Sequence, residues 1–334
     1  MAIDKTLGNF SLQESTAALS GEKQAGSLQG MLDTFTAPAE TWTKYGGILR
    51  LGRGDYYGNL VIDNPSVTIE GEGYGTVIHG SITCTTDSMI LRNLRVFAKD
   101  APYGVKLYRP LTLPGVGNAR SELDHVWIGA TAEGTGDGPE VGLWLDGAIV
   151  TNCYKCVFAF NTKSGLFVDT TDPAGLASTN VNTFDSCSFN GNGRYGAELI
   201  TGPGGVAGMM LHRFLGGNIE SNTLGDVLAD SNTGLEFNGV DFEHGAHNIS
   251  QMIDLSSCTP AIIQNCNFVV GSGATVSRAF LISGSGAAVV RNNRFGGFAV
   301  GAVGVFSDTC ANCREYENFF SDGADRFIIN RGRV

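Results

Sequence analysis

The chain has 334 residues, 42% of them hydrophobic, enough to bury a large core, and by length alone it suggests two domains. Its formal net charge of −11 is offset by no basic cluster, which excludes ordinary binding to nucleic acid phosphates and gives no long-range attraction toward an acidic polymer unless a local Arg or Lys cluster supplies it. No run approaches the ~18 apolar residues of a membrane helix, so no membrane insertion is expected.

The N-terminus, Met1-Ala2-Ile3-Asp4-Lys5, lacks a basic region followed by an apolar one, so no signal peptide is visible. Export by another route, or a removed segment ahead of Met1, are both compatible with it. Residues 1–26 mix scattered apolar positions with Ser, Gly, Glu and Lys and suggest no firm element. From Ser27 the spacing of Leu28, Met31, Leu32 and Phe35 predicts a short helix, with Ser27 as N-cap and Pro38 as stop, covering one end of the core. Residues 1–40 thus form an N-terminal segment, and 41–334 a second region of different character.

That region opens with Gly46-Gly47-Ile48-Leu49-Arg50-Leu51-Gly52-Arg53-Gly54-Asp55-Tyr56-Tyr57, then Leu60-Val61-Ile62, then Val67-Thr68-Ile69-Glu70-Gly71-Glu72-Gly73. Short strands follow one another across Gly, Asn and Pro turns without intervening helices. This opening resembles that of the pectate-lyase-like right-handed β-helix proteins, a group that includes phage tailspikes. The Asp-rich segment usual before the helix in that group is missing here. The resemblance spans residues 27–320 and its motifs specify fold far better than activity.

The repeat supports the same fold independently. Taking the last inward residue of each candidate strand gives Ile69, Val96, Ile128, Phe158, Phe189, Ile219, Phe242, Phe268, Phe295 and Phe319, at intervals of 23 to 32 residues. A unit of this size marks a solenoid, and one built from strands marks a β-solenoid. A second series, Leu143, Leu166, Ala197, Val227, Ile253, Phe280 and Val305, starts short inward-outward-inward strands between them. Leu94, Val126, Cys156, Cys187, Val240 and Cys266 are expected to point inward, and Asn93, Asn265 and Asn292 to stack as a hydrogen-bonded ladder. The expectation is an all-β, right-handed parallel β-helix of about ten rungs, roughly 50 Å long. Extra length at Arg109 to Arg120, Thr131 to Glu140, Asp169 to Asn180 and Thr201 to Gly208 predicts four loops walling a groove.

Eight cysteines include the CxxC pairs Cys153/Cys156 and Cys310/Cys313. A four-cysteine zinc site is conceivable. Inward positions in the repeat favour buried, reduced thiols acting as small core residues, which suits assembly in a cytoplasm. Glu70-Gly71-Glu72-Gly73-Tyr74-Gly75 mimics a phosphate loop only superficially, because no helix follows it. His79, His125 and His247 read as isolated surface or turn residues.

The strand pattern recurs most clearly between Thr183 and Gly245, and stacking its copies brings Asn190, Glu220 and Glu243 into one polar column. Neighbouring rungs lie ~4.8 Å apart, so the carboxyl groups of Glu220 and Glu243 could approach to roughly 5 to 6 Å, near the separation of a retaining glycosidase pair. Asp241, on the same outward face, and Asp226, at the start of the next strand, allow wider pairings suited to inversion. Such carboxylates also commonly just order turns. Arg194, His212 and Asn190 are candidate substrate-binding residues. A base such as His212 or Arg194, with Asn190 or an Arg neutralising a uronate, would instead suit a polysaccharide lyase, for which Ca²⁺ bound by the carboxylates is a possible cofactor; no dedicated metal loop is present.

The second series projects Trp144, Phe167, Glu198, Leu228, Asp254, Leu281 and Phe306 outward. Trp144 and Phe167 on adjacent rungs suggest a flat surface for sugar stacking with Glu198 beside it, while Leu228, Leu281 and Phe306 suggest an oligomer interface. By the resemblance, the leading expectation is a tailspike or tail-fibre-like receptor-binding protein of a virion, a homotrimer that binds and cleaves a bacterial surface polysaccharide. The alternatives are a stand-alone bacterial polysaccharide lyase or epimerase, and a non-catalytic glycan-binding or structural solenoid. A missing N-terminal attachment domain is compatible with all three.

Overall fold

A computed structural model describes residues 3–6, 28–30, 32, 47–109, 119–132, 136–169, 179–200, 209–245, 247–298, 303–307, 310, 312–321 and 327–329. The chain coils as a right-handed parallel β-helix, and every strand pairing in it is parallel. Strands alternate between one 22-stranded sheet, which is bent into two faces, and one 11-stranded sheet, which closes the third side. Among the described residues no helix is long and apolar enough to cross a membrane.

The bend has a local cause. In the strand Glu122–Gly129, His125 adopts φ 53°, and its neighbours above and below, Asn93 and Lys155, adopt 52° and 49°. Each coil thus spends one left-handed residue to turn the backbone through the corner, a conformation that Asn, Asp and Gly tolerate best. Asn265 (57°) and Asn292 (54°) hold the same corner further along, and Gly216 and Gly239 supply it elsewhere. Left-handed geometry favours Asn at this corner, and of the expected ladder Asn265 Nδ2 donates to Asn238 Oδ1 on the adjoining coil at 2.9 Å.

An asparagine ladder runs inside the next corner. Asn161 donates to Asn192 Oδ1 at 2.8 Å and Asn192 donates to Asn222 Oδ1 at 2.9 Å, while the same Oδ1 atoms accept the backbone N–H of the residue above. All three asparagines are buried. A second such ladder links Asn293 to Asn318 at 3.0 Å. Buried turn backbone is satisfied this way from coil to coil.

Inside, aromatic residues stack at the coil spacing. Phe158 and Phe189 lie 4.9 Å apart at 17°, Phe242 and Phe268 4.7 Å apart at 6°, and Phe268 and Phe295 4.9 Å apart at 12°. Two ends of the expected column shift. Ile69 pairs with Leu91 on the other face of the large sheet, and Ile78 is the residue that pairs with Val96. Phe320, not Phe319, lies over Phe295, leaving Phe319 61% exposed. In the third face the strand Gly304–Phe306 is offset by one residue from the expected register: Val305 pairs with outward Leu281, and Phe306 is buried on Ile282. Phe306 accordingly leaves the proposed outward stripe.

Leu94, Val126, Cys156, Cys187, Val240 and Cys266 all point inward. Six cysteines are free and buried, and burial pushes the Cys258 thiol up to about 11 and Cys266 up to about 12, as suits inert core residues. Cys310 and Cys313, with Cα atoms 5.8 Å apart, form a disulfide, which corrects the expectation that all eight are reduced. At the N-terminal end, Leu28–Gly30 and Leu32 are helical, Leu28 and Leu32 are buried, and the Gln29 side chain bonds both the N–H and the carbonyl of Val61. Ser27, Met31, Phe35 and Pro38 lie outside the described residues, as do most of the four long connections. Three of these leave the end of third-face strands, after Tyr108, Asp169 and Leu199, whereas the fourth leaves the opposite corner after Gly129.

Candidate active site

One outward face of the large sheet carries the carboxylates. Its strands Val157–Ala159, Ser188–Asn190, Asn218–Glu220, Asp241–His244 and Asn267–Val270 stack in register. Alternation sends Phe158, Phe189, Ile219, Phe242 and Phe268 inward and their neighbours outward. Two parallel columns result. Ser188, Asn218, Asp241 and Asn267 form one, and Ala159, Asn190, Glu220, Glu243 and Val269 form the other.

Glu220 and Glu243 are direct register partners on adjoining coils. Glu220 is half-buried and Glu243 exposed. Burial raises the Glu220 carboxyl above its usual range; a hydrogen bond from Asn218 opposes this, and the nearby Glu243 and Asp241 charges add to it. Burial of Glu220 makes it a weaker acid than an ordinary carboxyl, the direction a general acid needs. Asp241 stands beside Asn218 and accepts from Asn267 Nδ2 at 2.9 Å, which orients it on the same surface. Asn190 is in register with Glu220, and its buried Oδ1 has no hydrogen-bond partner.

Other expected site residues lie elsewhere. Asp226 is fully buried, on the inner side of the coil, where Asn222 Nδ2 donates to its Oδ1 at 3.1 Å. Burial raises its carboxyl well above the ordinary range, because the core disfavours the charged form. His212 is also fully buried, facing Asn182 Nδ2 across 3.3 Å, and burial lowers it to about 4. Neither reaches the outer surface, because both occupy inward positions of their strands. His244, at the end of Asp241–His244, is buried too, with both ring nitrogens unpartnered.

Arg194 and Glu198 belong to the third face. Glu198 is 3% exposed, accepts from Ser164 Oγ, and lies 3.6 Å from Arg194. Trp144 and Phe167 pair in register there as expected, but their rings meet edge to face, 5.5 Å apart at 81°. They form no flat platform. Lys106 Nζ already sits 3.8 Å over the Trp144 ring and 2.9 Å from buried Asp146.

Ca²⁺ takes six to eight oxygen ligands. Among the described residues no group of three or more His, Cys, Asp or Glu side chains is placed to hold a metal, so the residues present do not fit that cofactor and no step is derived through it. The first coils of the carboxylate face carry Tyr57, His79, Arg95, Phe97 and Trp127, which reading the repeat did not single out. Their signal lay in the alternation: Arg95 and Trp127 occupy the outward column of Ser188 and Asn218. His79 is not isolated, since its Nε2 lies 2.6 Å from Asp55 and its ring stacks on Tyr57.

No family model matches the sequence, and no curated protein matches it. Among solved structures, the chain is similar to ORF18 of Geobacillus virus E2 (TM-score 0.64, 14% identity, covering 95% of this chain and 64% of that one). It is also similar to the A-module of the Azotobacter vinelandii mannuronan C-5 epimerase AlgE4 (TM-score 0.51, 15% identity, 91% and 92% covered). A third is tailspike protein 2 of the Escherichia coli O157:H7 bacteriophage CAB120 (TM-score 0.51, 15% identity, 92% and 44% covered). The chain thus spans 64% of the first virus protein's length and less than half of the tailspike's. At these identities the likeness establishes the right-handed parallel β-helix fold and nothing finer.

Proposed function

We propose that this chain is a tailspike-like receptor-binding protein of a virion, a homotrimer in solution, that binds a bacterial surface polysaccharide and hydrolyses it with Glu220 and Glu243. The observation that carries this reading is the register pairing of the two glutamates on one outward face, with Glu220 raised and half-buried and Glu243 exposed. Glu220 is assigned as the general acid that protonates the leaving glycosidic oxygen. Glu243 is the opposing carboxylate, and the adjoining-coil spacing of ~4.8 Å suits direct attack and retention of configuration. Burial raises Glu220, and the Glu243 and Asp241 charges add to it, while Asn190 stands next to Glu220 in the same column. Similarity in fold to a phage tailspike and to a polysaccharide-modifying enzyme supports a carbohydrate target by analogy only.

A lyase or epimerase needs a base beside the sugar. The two candidates named for it are engaged elsewhere: His212 is in the core and Arg194 lies against Glu198 on another face. This favours hydrolysis. A screen of capsular and exopolysaccharides for both product types tests the reading. New reducing ends without ultraviolet-absorbing unsaturated sugars are the expected outcome; unsaturated products would assign a lyase, and a monomer by light scattering would contradict the tailspike assignment.

A further inference from the structure

The chain carries 33 acidic and 22 basic side chains, and several of the cations pair with acids along its coils. Arg92 lies 2.7 Å from Glu122, Lys106 2.9 Å from Asp146, Lys163 2.7 Å from Glu140 and Arg213 3.4 Å from Glu236. Arg95, outward on the strand Ile90–Val96, has no carboxylate partner among the described residues. Its guanidinium sits 5.0 Å from the Trp127 ring centroid and 5.7 Å from that of Phe97. Among the described residues its one hydrogen bond is a long one, 3.4 Å to the carbonyl of Gly129, and its buried Nε has no partner. Burial lowers its proton affinity, and no carboxylate among the described residues offsets that cost. A half-buried guanidinium held between two rings and lacking an anion is prepared to receive one, because its planar fork matches a carboxylate.

The surroundings restrict the ligand further. Trp127 meets Tyr74 edge to face at 5.6 Å, and Tyr74 is 42% exposed. An aromatic surface beside a cation suits a ring that carries a negative charge. Arg95, Trp127, Val157, Ser188 and Asn218 follow one another in a single outward column. At ~4.8 Å per coil, Arg95 stands ~19 Å from the carboxylate site along the same face. The floor between them is made of small side chains, Val157, Ala159, Ser188 and Asn190.

We propose that Arg95, with Trp127 and Tyr74, is a binding subsite for a carboxylate-bearing sugar of a glycan chain that runs along this face to Glu220 and Glu243. The inference rests on the reading of that face as glycan-binding, and it names the substrate class as acidic. It also supplies the local cation that the net charge of the chain leaves wanting.

The test is a titration of the full chain, followed by tryptophan fluorescence and affinity electrophoresis, with alginate, polygalacturonate and hyaluronan fragments and with the carboxyl-reduced form of each. At least one acidic glycan is expected to bind roughly 10-fold to 100-fold more tightly than its reduced counterpart, the range of one charge-assisted hydrogen-bonded contact. Arg95→Gln removes that preference and Arg95→Lys keeps part of it. Reduced glycans bound as tightly as acidic ones by the wild-type chain would overturn the subsite while leaving the glycan-binding face standing. No binding of either form would overturn both. The wild-type comparison decides the matter even where Arg95→Gln does not fold.

Discussion

Glu220 and Asp226 show how much position within one coil decides a carboxylate's chemistry. Both are raised by burial, but Glu220 stands on the outer face beside Glu243, whereas Asp226 lies inside against Asn222. Asp226→Asn keeps the hydrogen bond from Asn222 and removes no group the glycan can touch, so glycan cleavage is expected to stay within about twofold of wild type. A hundredfold loss measured in the same reducing-end assay would return Asp226 to the catalytic set. His212 contributes a pH dependence of the opposite kind to a paired histidine. Burial lowers it to about 4 from an ordinary 6.5, so the folded state resists its protonation while the unfolded state does not. The stability associated with it is fully present above pH ~6.5 and is lost as pH falls toward ~4, a loss of about 3 kcal/mol for a fully buried ring. Urea denaturation of His212→Asn and wild type is therefore expected to show the variant gaining relative stability between pH 7 and 4; a constant difference across that range would show that His212 is not the group responsible.

At the scale of the element, the coil is held by repeated buried ladders. Asn222 accepts from Asn192, and its Nδ2 donates to the Phe189 carbonyl and to Asp226. Removing it leaves several buried groups short of partners at once, each costing about 1–3 kcal/mol. Asn222→Ala is expected to lower stability by about 3–5 kcal/mol in thermal or urea unfolding; a change under ~1 kcal/mol would mean that water replaces the ladder. The alternation of apolar and polar residues made the inward columns legible in the sequence, including the phenylalanine stack from Phe158 to Phe295. What remained illegible has physical reasons. Phe319-Phe320 offers two equivalent rings to a pattern with period two, and only the register with Arg294 and Phe295 decides which one turns inward. Ile69 and Val96 have a plausible repeat interval, but the chain turns at Gly71 to Gly75 and places Ile78 beneath Val96 instead. The asparagines that ladder, Asn161, Asn192 and Asn222, could not be told from those at left-handed corners, since residue type is the same and only backbone φ differs. The candidate site was half legible: register placed Glu220 beside Glu243, while inward or outward direction, on which Asp226 and His212 depend, was not resolved at strand ends.

For the whole molecule, a stack of parallel coils converts sequence distance into height along one face. Residues as far apart as Arg95 and Glu243 share a surface because each coil returns the chain to the same side. That surface runs from an aromatic and cationic end to an acidic one, and a polymer lying along it would meet both. The most direct measurement of the account is the cleavage rate, on the polysaccharide identified by screening, of wild type, Glu220→Gln and Glu243→Gln with glycan affinity measured in parallel. Both variants are expected to bind the glycan as wild type does and to cleave it at least ~100-fold more slowly, the usual contribution of a positioned acid or base. Cleavage by either variant at the wild-type rate would contradict the assignment of these two glutamates as the catalytic pair.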